Sequence, residues 1–189
     1  MASRLGPKGR VSTSYFPFAL GLFILYTLKV KHKMKNSVIR VILITLLVFL
    51  AINIAWFSWS RIKFGSYTDG MEKADTGDPI VLRYTYTDAE HNDYLVKYPN
   101  YLSLEGNIYV GLPATDENPF NDGLIAWPKL YGDYDFGVVL HDEDGTEYLV
   151  EIDSEGNALS SEYNDVVSRH SDNIRALLTL ADERWDILK

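Results

Sequence analysis

Hydrophobic positions in this chain follow three rhythms in turn. Residues 41–59 (VILITLLVFLAINIAWFSW) are apolar without a break except for Thr45, Asn53 and Ser58. Nineteen helical residues rise about 28 Å, close to the ~30 Å hydrocarbon core of a bilayer. Lipid cannot satisfy open backbone groups, so the stretch predicts a transmembrane helix over residues 38–59. Trp56 and Trp59 stand at its far end, where amphipathic rings favour the membrane–water interface. Asn53 is read either as a helix–helix contact or as a group near the outer headgroups.

Beyond residue 79 the rhythm becomes two. Residues 80–87 (IVLRYTYT) put Ile80, Leu82, Tyr84 and Tyr86 on one face and Val81, Arg83, Thr85 and Thr87 on the other. After a turn at 89–92, residues 94–98 alternate again, followed by β-like pieces at 101–104, 107–113 and 124–127. The loop 114–123 (ATDENPFNDG) is full of turn formers. Residues 136–141 and 146–152 flank Asp142-Glu143-Asp144-Gly145, a hairpin signal. It aligns Phe136, Val138 and Leu140 beside Tyr148, Val150 and Ile152.

The last rhythm is helical. Val166, Val167, His170, Ile174, Leu177, Leu178, Ala181, Trp185 and Leu188 follow three-and-four spacing, which predicts a helix over about 161–188. The fold class expected is therefore α+β: an antiparallel β-sheet meander packed by a C-terminal amphipathic helix, preceded by an N-terminal transmembrane helix. Residues 60–79, polar and glycine-bearing from 65 onwards, read as a linker, and 80–189 as an extracytoplasmic β-rich domain with the C-terminal helix. Residues 1–33 form a basic arm with a short apolar segment at 15–28, of a length that fits a signal-like, interfacial or short spanning segment. Met34 opens a stretch resembling an ordinary start of an anchored protein, so a misassigned start codon would account for the arm.

Charge gives the anchor a direction. Residues 1–65 carry ten Lys or Arg and no acid, whereas 66–189 carry the other eight and all 26 acids, a formal −18. Lys29, Lys31, Lys33, Lys35 and Arg40 crowd the near side of the span, and only Arg61 and Lys63 follow it. The basic side stays in the cytoplasm, so the acidic domain is expected outside, on a single-pass anchor or a two-pass one if 15–28 also spans. Trp56-Phe57-Ser58-Trp59 is too bulky for signal peptidase, so the anchor is expected to be retained. The acidic domain repels nucleic acid and attracts basic partners.

Candidate chemistry is sparse. The chain has no cysteine, which excludes thiolate metal sites, disulfides and thiol catalysis. Asp142, Asp144, Asp153, Glu155 and Asn157 sit in loops, but Thr146 breaks the register of a calcium loop, and plain hairpin turns explain them. His91, His141 and His170 lack paired-ligand spacing, and His170 reads as a satisfied imidazole on the helix's apolar side. No nucleophile elbow, phosphate-cradling loop or zinc-protease helix occurs. The expectation is a protein that is not an enzyme and needs no cofactor or metal. Tyrosine, rich in the domain, suits protein interfaces. The outward sheet face is expected to show Arg83, Thr85, Tyr109, His141, Glu147 and Glu151 as candidate partner-binding residues.

Residues 118–131 (NPFNDGLIAWPKLY), followed by Phe136-Gly137-Val138-Val139-Leu140, the hairpin, and a closing helix with Asn173-Ile174, Leu177-Leu178 and Trp185, resemble the TipC family of immunity proteins. The resemblance covers about residues 34–189. It implies a membrane-anchored protein that neutralises a toxin exported by a type VII secretion system, by binding it outside the membrane and occluding it. No binding residue is carried over from the family. Residues 147–159 (EYLVEIDSEGNAL) are similar to the closing hairpin of PepSY domains, which implies the alternative of an anchored regulator or inhibitor of an envelope enzyme.

Overall fold

The structure, a computed structural model, describes residues 37–78, 81–115 and 119–188. The arm 1–33 and the apolar stretch 15–28 lie outside the described residues. Contacts divide the chain into two units that meet between Ile52 and Asn53.

The first element is helix α1, Ser37–Gly65. Among the described residues it is the one helix long and apolar enough to cross a membrane. Thr45 returns its hydroxyl to the Val41 carbonyl at 3.0 Å, so that side chain needs no outside partner. The helix runs six residues past Trp59, into the stretch read as linker, because nothing before Gly65 breaks it. Phe64 and Tyr67 are buried in the domain's core, and Glu72–Lys73 forms strand β1. The expected linker is thus partly helix and partly sheet.

The second unit is built on a seven-stranded antiparallel meander in the order of the chain: β1, β2 Arg83–Thr87, β3 Asp93–Lys97, β4 Asn107–Gly111, β5 Gly123–Pro128, β6 Tyr134–His141 and β7 Glu147–Ile152. The β6–β7 register pairs Phe136 with Ile152, Val138 with Val150 and Leu140 with Tyr148, as the alternation predicts. Gly145, at φ +81°, supplies the left-handed residue of that turn. Residues 101–104 are not a strand. The Ser103 N–H donates to the Asn100 carbonyl at 2.8 Å and Leu102 takes φ +60°, which curls the chain.

The closing helix is interrupted. A 3₁₀ turn Ser161–Tyr163 leads into α2 Asn164–Arg169, and α3 Ser171–Trp185 follows a single irregular residue, His170. Ile174, Leu177, Leu178 and Ala181 are buried in the same cluster as Val110, Leu124, Val138 and Val150. Asp186 ends α3 in the left-handed region, and this turn buries Ile187 rather than Leu188. The Trp185 indole donates to the Tyr67 carbonyl at 3.0 Å and meets Tyr94 edge-on.

Candidate partner-docking surface

The pleat that sends Phe136, Val138 and Leu140 inward sends Gly137, Val139 and His141 to the other face. On that face the register lines up Thr85, Leu95, Tyr109, Ile125, Gly137 and Glu151 in a row across six strands. Three of the six expected partner-binding residues, Thr85, Tyr109 and Glu151, belong to this one row. Arg83 lies two residues further along β2, opposite Lys97. His141 and Glu147 face each other across β6 and β7 at the other end of the strands. All six share a face: Tyr109 stands on its central strand β4, and the other five lie towards its edges on β2, β6 and β7.

Its middle is apolar, which the sequence reading missed. Leu95, Ile125, Trp127 and Val139 are half-buried and Leu149 is 61% exposed. One signal was available: β5 runs Leu-Ile-Ala-Trp with no polar residue, the mark of a strand apolar on both faces. Tyr109 and Trp127 lie against glycines. A Cβ on Gly123 would fall inside the Tyr109 ring's contact surface, and one on Gly137 would come 2.9 Å from Trp127. Burial, then Asp93 and Asp122, push the Tyr109 phenol's pKa up.

At the end of the sheet where β4 leaves and β5 begins lies an open cleft of about 910 Å³, lined by Leu112, Pro113, Phe120, Asp122, His141 and His170 among others. Asp122 is 1% exposed. It accepts the His141 backbone N–H at 2.9 Å and the Asn173 side-chain amide at 2.7 Å. The His141 ring lies 3.4 Å from the same carboxylate and is stacked by Phe120, with ring centres 5.4 Å apart. His170 reaches Asp142 through Nε2 at 3.0 Å and stands 3.7 Å from Asp122 through Nδ1. Arg169 adds a 2.8 Å contact to Asp142. The His170 bond, then that of Arg169, holds the Asp142 carboxyl below the usual carboxylate range.

Acids and imidazoles therefore alternate from Glu147 through His141, Asp122 and His170 to Asp142. Asp122 ties β5, β6 and α3 together as a clasp. Among the described residues no group of three or more His, Cys, Asp or Glu could hold a metal ion. Asp144 takes the Thr146 N–H and Asp153 the Asn157 side chain, so both are spent on their own turns. No protein-family model, no curated protein and no solved structure matches this chain.

Proposed function

We propose that this is a membrane-anchored immunity-type protein whose extracytoplasmic domain binds and occludes a basic protein toxin exported by a type VII secretion system. The apolar helix is the anchor, the lysines before it stay in the cytoplasm, and the acidic domain faces outward on a single pass. In this reading the C-terminal helix closes one face of the sheet and the toxin docks on the other.

The observation that carries the reading is the make-up of that free face. A half-exposed apolar band of Leu95, Ile125, Val139 and Leu149 crosses this face, with Glu147 and Glu151 flanking Leu149 on β7 and with Arg83 and Lys97 at the far end of β2 and β3. Apolar centres with charged rims suit protein recognition, and a stripe of this kind on a domain surface needs an occupant. The formal charge of −18 over residues 66–189 selects a basic one.

The test is toxin challenge. Cells lacking the gene are exposed to the exported toxins of sister strains, then complemented with wild-type chain or with Leu149→Asp. Sensitivity rescued by wild type and not by the variant, at equal membrane abundance, is the expected result. Deletion cells no more sensitive than the parent to any of these toxins overturn the reading.

A further inference from the structure

The sheet has two ends. Residues 88–92, 112–115, 119–122 and 142–146 lie at the end that carries the Asp122 clasp. Residues 98–106, 129–133 and 153–163 lie at the opposite end. Among the described residues outside α1, the large hydrophobic side chains that stand exposed are Tyr86, Tyr101, Leu102, Leu104, Leu130, Tyr131, Leu149 and Leu159. Tyr86 and Leu149 are on strands. All the others are on the second set of loops, and among the described residues the clasp end contributes none. Tyr131 is 87% exposed, a degree that solvent alone does not favour.

The last helical turns of α1, which belong to the same unit, pack at this apolar end. The Phe64 ring lies against Gly106, where a Cβ would come within 2.6 Å of it. The Trp56 indole donates to the Ser103 carbonyl at 2.7 Å, and its ring meets Tyr101 edge-on at 5.5 Å. The Tyr101 hydroxyl donates to the Asn53 side-chain oxygen. The polar group inside the apolar span is thereby satisfied by the loop 98–106 of the domain itself. Trp56 and Asn53 lie within the stretch that sequence assigns to the bilayer and its interface, so whatever contacts them shares that environment.

We infer that this end of the domain is seated in the outer membrane–water interface, with Tyr101, Leu102, Leu104, Leu130 and Tyr131 inserted among lipid headgroups and upper acyl chains. The occupant of the apolar end is the lipid surface, because Tyr101 packs on Trp56 at the aromatic end of the span and the other exposed side chains share its end of the sheet. Exposed charges of both signs stand beside these side chains, Glu105 and Asp133 with Arg61 and a Lys129 held by Asp135 at 2.8 Å, so the attachment rests on its apolar side chains and not on attraction to anionic lipid. The inference rests on the anchoring part of the proposed function and is independent of the toxin.

The absence of native cysteine permits single spin labels on the full chain in phosphatidylcholine nanodiscs. Labels replace Val48, Leu102, Tyr131, Leu149 or Glu90 through single Cys substitutions. Their collision with lipid-soluble oxygen is compared with that of a water-soluble nickel chelate. The expected oxygen-to-nickel ratio is several-fold higher at 102 and 131 than at 149 and 90, and highest at 48. Leu149 is the decisive control, since it is as exposed and as apolar but on the sheet. A high ratio at 48 with 102 and 131 as nickel-accessible as 149 overturns the seating and leaves the anchor standing. Nickel access at 48 overturns both. Labels at 102 and 131 shielded from both reagents show protein covering this end, and also overturn the inference.

Discussion

The side-chain amide of Asn173 donates to the carboxylate of Asp122 at 2.7 Å, across 51 positions of sequence. This bond fixes the first turn of α3 to the first residue before β5. Asp122 is almost fully buried and also holds the His141 backbone N–H. Replacing it with alanine strands two donors with no partner of their own. Asp122→Ala is therefore expected to cost roughly 2–6 kcal/mol, at about 1–3 for each donor left unsatisfied. Urea unfolding of the full chain in detergent, followed by tryptophan fluorescence, measures this. Asp122→Asn is expected to recover part of the loss, because an amide oxygen still accepts one of the two bonds.

The second prediction concerns the rings laid on glycine. A methyl group at Gly123 collides with Tyr109, whose ring must swing off the sheet. Gly123→Ala is expected to destabilise by roughly 1–3 kcal/mol, the usual range for overpacking. The same substitution in a Tyr109→Ala background has no ring to displace and costs less. A double-mutant cycle by urea unfolding reads the difference, and additive costs sink the assignment.

These two sites show what the sequence disclosed and what it withheld. Alternation placed Phe136, Val138 and Leu140 opposite Ile152, Val150 and Tyr148, because a period of two is a property of the local backbone. The apolar helix over 41–59 needed only length and hydropathy. Asn53 and Tyr101 were legible as residues but not as a pair, since nothing local says that a loop will fold back onto the span. Likewise Gly111, Gly123 and Gly137 look like weak points in strands until the neighbouring rings are placed over them. Residues 60–73 were misjudged for the opposite reason. Their composition is polar, yet Phe64 and Tyr67 alone are enough to draw the segment into the core.

The third prediction is a pH dependence. Asp142 is held below the usual range by His170 and then Arg169, Asp88 by the side chain of Asn92, and Asp153 by that of Asn157. A carboxyl whose folded pKa lies below its unfolded value binds fewer protons folded than unfolded. The stability it contributes is present above the unfolded value, about 3.9 for Asp, and is lost as pH falls through the folded one. The urea midpoint is expected to hold on the neutral side of about pH 4 and to drop below it. Asp142→Asn removes one of these carboxyls, so the gap between midpoints at neutral and acid pH narrows in the variant. An unchanged gap would remove Asp142 from the acid response.

The fourth prediction separates charged from apolar side chains on the free face. Glu147 and Glu151 stand exposed on β7, the edge strand, with Leu149 between them on the same face. Exposed charges act at long range on encounter, while an apolar side chain acts only after contact. For a basic toxin, the pair Glu147→Lys and Glu151→Lys is expected to slow association roughly tenfold at low salt and leave dissociation little changed. Its association rate also becomes less sensitive to salt than that of wild type, because part of the screened attraction is gone. Leu149→Asp does the reverse: association changes little and dissociation quickens, since the lost contact forms only in the complex. Surface plasmon resonance across a salt series distinguishes the two signatures. If both variants alter the same rate constant to the same degree, β7 does not border the docking face, and the toxin must approach the sheet from elsewhere.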